Sequence, residues 1–564
     1  MSQATIDVLF RPATPPEDPF IKWRGFAPGT TFLKGGTRPV AGGRELGCDI
    51  RVDRDVEVHL RDGTLIYVDV YRPVTDEPVP AILAWSPYGK QGSFQDYDIF
   101  PQRAGVAREV TSGLPKSDWE GPDPAFWCAH DYAVVNVDPR GCFESHGDIQ
   151  AFSTLEARDG YDVVEWSGTQ EWCSGKVTFS GNSYLAVSQW MIASTHPPHL
   201  ACIAPWEGLN DIYRDVILRG GIHTPAVPEI ITMMNGGRGQ IEDLPSMARL
   251  YPFMNEYWRS KIIDTSDIEV PAYVVASWTN EIHTRGTLAA YSRLDPSKSW
   301  LRVHNTQEWS DLYQYEEDLL KFFDFVIKGK DNGWAETPRV RLSILDPGGH
   351  DQVNRAETAY PPERVREVAL YLDAESQSLS TSVPDAESSV EYDPLTEGNV
   401  VFRYRIERDV ELIGPMKLRV WLETVGFSFD ADLFAYVGKT DAEGNSVTSF
   451  IPPGTPWPGA HGRLRATHRQ LDEQHSTPLA PVHRHERPLP VVPGTPVPLD
   501  IAIWPVGMAW HPGEELTVLI GGRNLTASFG PIDTLNVNSG THKILTGGKY
   551  DSHLLVPLAT AGGI

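Results

Sequence analysis

The residues best suited to covalent chemistry lie in VTFSGNSYLAVSQW, Val177 to Trp190, where four strand-like residues lead through Gly181-Asn182-Ser183 into a stretch of helical character. A serine on a sharp strand-to-helix turn exposes its oxygen at the carboxyl edge of a sheet, and the N–H groups of the helix start point at a developing oxyanion. Gly181, two residues before Ser183, suits a turn in which a side chain would collide. The general pattern also asks for glycine two residues after the serine, and position 185 is leucine. On these residues alone the G-x-S match reads either as a nucleophile turn or as chance.

Other chemistry-bearing groups give weaker signals. His483-Arg484-His485, with His468 and His475 upstream, forms the one tight histidine group; it lacks a carboxylate or cysteine at ligand spacing and reads as a surface loop, so no metal is expected. Cys48, Cys128, Cys142, Cys173 and Cys202 are widely spaced and odd in number, which fits reduced structural thiols. The GGRG at Gly236 follows no strand and predicts no phosphate or cofactor site. Asn524 opens a glycosylation pattern without a secretory route and is discounted.

A reactive serine needs elements to hold it. After a Pro/Gly-rich leader over residues 1–45, IRVDRDVEVHL and TLIYVDVYRP alternate with period two on either side of Arg61-Asp62-Gly63, which predicts a hairpin at a sheet edge. The apolar runs AILAWSP, YAVVNVDPRG, KVTFSGNS, LACIAPW, AYVVASW and WLRVHN then alternate with helical patterns, the signature of a mostly parallel sheet covered on both faces. The expected core comprises residues 46–205 and 266–335, with a helical cap inserted at 206–265. From 336 to 564 short alternating strands separated by Pro, Gly and Asp turns predict an all-β sandwich domain, with the Pro-rich stretches at Pro452 to Pro458 and Pro478 to Pro498 as loops inside it.

A chain of 564 residues is too long for one core and divides into several domains. Its formal charge of -26 repels phosphate backbones and anionic membranes, so nucleic acid and membrane are not expected partners. MSQATIDVLFRPATPPEDPF lacks the basic and apolar regions of a signal peptide, and no window of about 18 uncharged apolar residues follows. A soluble, cytoplasmic protein acting on a small molecule is expected, with a homo-oligomer left open.

The segment GNSYLAVSQW resembles the G-x-S-Y-x-G segment of the cocaine esterase and X-Pro dipeptidyl-peptidase (CocE/NonD-type) family of α/β-hydrolases. DPRGCFESHGD (Asp138 to Asp148) is similar to that family's D-x-R-G-x-x-x-S-x-G loop, EWCSGKV (Glu171 to Val177) to the segment before its nucleophile strand, and SPYGK (Ser86 to Lys90) to its oxyanion loop. PWEGLNDIYRDVILRGGI (Pro205 to Ile222) resembles the start of its helical cap, and LRATHRQLD and LDIAIWPVGMAWHPGEEL resemble its C-terminal jelly roll. The resemblance covers most of residues 45 to 560. It implies an α/β class fold: an α/β-hydrolase core with an inserted helical cap and an all-β jelly-roll domain. It implies Ser183 as nucleophile, with the backbone N–H of Tyr184 and the phenol of Tyr88 as oxyanion donors. Ala186 replaces the family's last glycine, and the added methyl is expected to be tolerated.

Two departures fall on catalytic positions. The family's acid in a W-x-D segment aligns with Asn280, and its histidine in a G-P-W-x-H segment aligns with Glu308. A carboxylate is a weaker base than an imidazole by about two pKa units, and burial can recover much of that. An aspartate at 280 would set two carboxylates side by side, whereas asparagine donates a hydrogen bond without adding charge. The reading preferred from sequence is therefore Ser183-Glu308-Asn280. Its rival has His304 reach Ser183 with Glu308 or Glu281 orienting it; His283 and His223 are further candidates for lining the pocket. The expected function is cleavage of a carboxylic ester or amide of a small, largely apolar acyl substrate through an acyl-enzyme on Ser183. The alternatives are a lyase, isomerase or cyclase with Glu308 as proton-transfer base, and a catalytically silent binding protein.

Overall fold

The computed structural model describes residues 6–21, 23–92, 105–117, 119–396, 398–451, 455–525 and 535–564. Residues 452–454 of the first Pro-rich stretch and 1–5 of the leader lie outside the described residues. The site is carried by one large twisted sheet. Its first half contains, in spatial order, β1 (Gly29–Leu33), β2 (Ile50–His59), β3 (Leu65–Pro73), β5 (Ala133–Asp138), β4 (Val79–Trp85) and β6 (Cys173–Phe179). After Ser180, β6 runs on as the short strand Gly181–Asn182, which pairs in parallel with β7 (Pro205–Trp206) and so joins the second half: β7, β8 (Ala272–Ser277), β9 (Ser299–His304), β10 (Val340–Ile344) and β11 (Gln352–Glu357).

The strands β4, β5, β8 and β9 are buried along their whole length. That is why they read as unbroken apolar runs: helices cover both faces, including α1 (Thr154–Gly168) and α2 (Tyr184–Ala193), the latter buried at every residue. The parallel pairs β4–β5, β4–β6, β8–β9 and β9–β10 bring their carboxyl ends to one edge, where the loops that carry chemistry emerge. The hairpin β2–β3 forms around the expected turn. It is not the sheet edge, because leader residues Gly29–Leu33 add β1 outside it. A second leader strand, Phe10–Pro12, pairs with Gln240–Glu242 of the cap, so the leader is built into the fold.

The cap contains the π-helical turn Tyr213–Ile217 and the helices Ala226–Met234, Leu244–Leu250 and Glu256–Arg259. The sheet runs on past 335, where the expected core ends. The strand β10, VRLSI, pairs in parallel with β9, and β11 closes the sheet antiparallel to it. A five-residue apolar strand looks the same in sequence whether it ends one sheet or begins the next.

The remaining strands form an antiparallel β domain around Val410–Val425 and Val497–Trp510, paired from Val410 with Trp510 to Leu422 with Val497. This domain touches the hydrolase sheet directly. The Leu345 N–H donates to the Gly507 carbonyl at 2.8 Å, and a Cβ at Gly507 would sit 2.8 Å from the Trp278 ring, so the two surfaces meet through a bare backbone. Of the histidines expected in a surface loop, His475 is exposed, but His468, His483 and His485 are buried: His468 and His485 approach Nδ1 to Nδ1 at 2.9 Å, beside Tyr213 and Phe253 of the cap. Among the described residues no helix is long and apolar enough to cross a membrane, and no group of three or more His, Cys, Asp or Glu is placed to hold a metal ion. All five cysteines are unpaired.

Candidate active site

Ser183 occupies the turn between Gly181–Asn182 and α2 with φ 56 and ψ -123, a conformation that costs a non-glycine residue on the order of 1–3 kcal/mol and recurs where strain is used. Neighbouring backbone fixes it: the Ser183 N–H donates to the Glu207 carbonyl at 3.0 Å, and the Asn182 N–H to the Glu120 carbonyl at 3.0 Å. Gly181 has φ 145, and a Cβ there would lie 2.5 Å from the Glu120 carbonyl oxygen and 2.6 Å from Leu185 Cβ. This is the collision anticipated from sequence. The methyl of Ala186 is accommodated from the other side, where a Cβ on Gly208 would lie 3.2 Å from it.

Tyr184 plays two structural parts. Its N–H lies in the first turn of α2, where no intrahelical carbonyl is available. Its phenol is tied to Glu156 at 2.8 and 3.0 Å. Tyr88 lies in the loop after β4, its ring stacked on Trp119 with centroids 5.1 Å apart. Lys90 pins that loop: its Nζ meets Asp55 at 2.6 Å and Asp138 at 2.8 Å, and its N–H donates to Asp138 at 2.6 Å. Burial works against the Lys90 charge, and Asp138 and Asp69 outweigh it and keep the ammonium.

Ser183, Tyr88, Tyr184, Asn280 and Glu308 all line one cavity of about 400 Å³. Its polar end also holds Glu120, Glu281 and His283, and its wall is apolar, with Val187, Leu209, Ile212, Val216, Ile230 and Met234. Burial depresses the His283 pKa to about 4, so the ring is neutral at pH 7. His223 and His304 do not line this cavity. His223 instead lies on a backbone bridge to Leu535.

Asn280 and Glu308 are brought together. The Asn280 Oδ1 accepts from the N–H groups of Ile282 (3.0 Å) and His283 (3.2 Å), which fixes the orientation of the amide. Its Nδ2 therefore faces the other way and donates to Glu308 at 2.6 Å and to Glu207 at 2.8 Å. Glu308 stands at the first turn of α3 (Glu308–Gln314), capped by Gln307 and anchored by the buried ion pair Arg302–Asp311. Among the described residues no hydrogen bond joins Ser183 to Glu308. Glu120 stands beside the Ser183 turn, its carbonyl held by the Asn182 N–H at 3.0 Å and its side chain lining the same cavity as Ser183, Trp119 and Trp309, and the Ser183 hydroxyl is close enough to favour its ionised form.

Glu120 is the site residue that sequence reasoning missed. It has φ 62 and is buried, and desolvation pushes its carboxyl well above the usual range while the charge of Lys116 opposes the shift. Lys116 is driven the other way by burial, with its Nζ 3.0 Å from Ser86 Oγ. The available signal was local: an acid between Trp119 and Gly121-Pro122, four residues after a lysine, in a segment without strand or helix pattern. Glu207, overlooked within PWEGLND, is the second. Its carboxylate receives Ser277 Oγ at 3.0 Å and His304 Nε2 at 2.5 Å. His304 is thus directed at Glu207 and away from Ser183. Its orienting partner is neither Glu308 nor Glu281, because β9 and β8 run in register with Ser277 beside His304 and both face Glu207.

A serine on a strained turn at a helix start, with a buried carboxyl beside it and a cavity before it, defines a hydrolase of the serine esterase and peptidase type on an α/β-hydrolase sheet. Residues 62–240 match the model of the X-Pro dipeptidyl-peptidase (S15) family, and residues 332–555 that of the X-Pro dipeptidyl-peptidase C-terminal non-catalytic domain. Two crystal structures of a CocE/NonD family hydrolase from Staphylococcus aureus superimpose with TM-scores of 0.87 and 0.86 at 31% and 33% identity, covering 99% and 94% of this chain and 99% and 97% of theirs. Cocaine esterase from Rhodococcus sp. (strain MB1 Bresler) is 26% identical over 410 residues, 60% of this chain and 67% of the relative. The chain belongs to the CocE/NonD, X-Pro dipeptidyl-peptidase-like family of hydrolases.

Proposed function

We propose that the protein cleaves a carboxylic ester or amide of a small, largely apolar acyl group through an acyl-enzyme on Ser183, acting in the cytoplasm without metal or cofactor. The observation that carries this reading is a buried carboxyl, Glu120, beside the Ser183 turn in a cavity with an apolar wall. A carboxylate raised toward neutrality is a base matched to a hydroxyl at physiological pH. Glu120 accepts the Ser183 proton as Oγ attacks the carbonyl carbon. The N–H of Tyr184 and the phenol of Tyr88 hold the oxyanion without adding formal charge to an already acidic site. In this reading proton acceptance moves from Glu308, the base preferred from sequence, to Glu120, because Glu120 is fastened to the Ser183 turn through the Asn182 N–H and lines the cavity with it. The C-terminal domain is here a jelly roll that supports the Asn280 loop through Gly507, where a Cβ would sit 2.8 Å from the Trp278 ring.

Reaction with a fluorophosphonate probe tests the proposal. Folded protein is expected to label at Ser183 and to lose labelling in Ser183→Ala; absence of labelling in the folded wild type would sink it.

A further inference from the structure

Behind the cavity lies a second layer of titratable groups that acceptance of a proton by Glu120 leaves unused. Glu308 and Glu207 share one donor, Asn280 Nδ2, at 2.6 and 2.8 Å, which sets the two buried carboxyls side by side. Two buried carboxyls so placed do not both ionise, and one keeps its proton. The surrounding donors say which one carries it. Glu207 receives three: Asn280 Nδ2 at 2.8 Å, Ser277 Oγ at 3.0 Å and His304 Nε2 at 2.5 Å. The histidine is a donor at that atom because its Nδ1 is occupied as an acceptor by the Thr306 N–H at 3.2 Å. Glu207 is then the carboxylate, and Glu308 the acid that donates to it.

The groups facing Glu308 agree. Glu207 approaches from the loop after β7, Glu120 from the loop before residue 123, and the uncharged Asn280 from the loop after β8. The cations in the neighbourhood are directed elsewhere: Arg302 is committed to Asp311, and Lys116 acts on Glu120. Burial and the two neighbouring carboxyls favour the neutral form of Glu308 and outweigh the Asn280 hydrogen bond, which favours the charged form.

We infer that Glu207 and His304 hold Glu308 as the carboxylic acid, and that Glu308 is the proton donor to the departing group in the Ser183 reaction proposed above, on which this inference rests. In acylation the Ser183 proton passes to the Glu120 carboxylate and the Oγ–C bond forms. When the intermediate collapses, the bond from carbon to the leaving oxygen or nitrogen breaks, its electron pair stays on that atom, and the Glu308 proton goes there. In deacylation the Glu308 carboxylate takes a proton from the attacking water, and Glu120 returns its proton to Ser183 Oγ. Both carboxyls end as they began. Glu207 and His304 touch no reacting atom and are positioning residues. Carboxyls pushed to opposite protonation states divide acid and base work in this way.

The test compares kcat/KM, which reports acylation, for p-nitrophenyl and ethyl esters of one short acyl group. A poor leaving group needs the proton and a good one does not. Glu308→Gln is expected to lose about 100-fold or more on the ethyl ester and less than about tenfold on the p-nitrophenyl ester. It should release p-nitrophenol in a burst followed by slow turnover, and keep its fluorophosphonate labelling. Glu207→Gln removes the charge that holds the proton, so the alkaline limb of the ethyl-ester profile should move to lower pH by about one unit or more. Equal losses on both esters in Glu308→Gln, or an unmoved limb in Glu207→Gln, would overturn the inference. Should Glu207→Gln not fold, the ester comparison in Glu308→Gln decides alone. A wild type that does not label rejects the serine reading itself, a different failure.

Discussion

Asn280 donates to the Glu308 carboxyl across 2.6 Å in a buried pocket, at the two positions where related hydrolases are expected to carry an aspartate and a histidine. The amide cannot turn over, because its oxygen is held by the N–H groups of Ile282 and His283. Neutrality at 280 is what lets Glu308 and Glu207 lie together. Asn280→Asp removes the donor from both and adds a third carboxyl. It should lower kcat/KM by about 100-fold or more and cost about 1–3 kcal/mol of stability, read by ester kinetics and urea unfolding. Unchanged activity would show that the amide is not needed.

Glu120 should set the acid side of the rate profile. With its proton held well above the ordinary carboxylate range, activity should rise with pH near neutrality, where the base becomes free. Glu120→Gln should lower kcat/KM by about 10²–10⁴-fold and abolish that limb. A limb at the ordinary carboxylate pKa in the wild type contradicts the assignment.

Glu156 offers a test in stability. Burial pushes its pKa up from 4.5 to about 7, although Trp85, Tyr184 and the Phe152 N–H all donate to it. A carboxyl that binds its proton more tightly folded than unfolded makes stability fall as pH rises from the unfolded to the folded value, here from about 4.5 to about 7, and no further beyond. Between pH 5 and 8 the wild type should therefore lose about 2–3 kcal/mol more than Glu156→Gln in urea unfolding. Parallel curves for the two would contradict it.

Lys90 holds the Tyr88 loop through Asp55 and Asp138, all buried. Lys90→Met leaves these carboxylates uncompensated, and about 3–5 kcal/mol should be lost, seen as a lower midpoint in thermal unfolding. Ester turnover should fall even in the folded fraction, since the phenol is no longer aimed.

The apolar wall should decide acyl length. Ile230 lies on the cap helix facing the cavity, and Ile230→Trp fills that end. Hexanoyl esters should lose at least about tenfold in kcat/KM relative to acetyl esters; an unaltered ratio would mean that the acyl group lies elsewhere.

Much of the frame was legible in the chain. The buried strands β4, β5, β8 and β9 appear as apolar runs because both their faces are covered, and Gly181 marks the turn because only a bare Cα clears the Glu120 carbonyl. The pairing of Asn280 with Glu308 was readable as a charge argument, since its logic needs only residue types. The pairing of β10 with β9 was not legible, because pairing partners are not written in a strand's own residues.

The sequence by itself determined the class of fold, the serine turn and the unusual pair at Asn280 and Glu308, because strand period, glycine sterics and residue charge are local properties. Only the tertiary structure decided what stands beside that serine. Glu120 and Glu207 arrive on loops from different strands, and His304 meets Glu207 across 97 residues of chain. Such contacts exist only where parallel strands end together at one edge, and burial there, which no single segment reveals, sets which carboxyl keeps its proton.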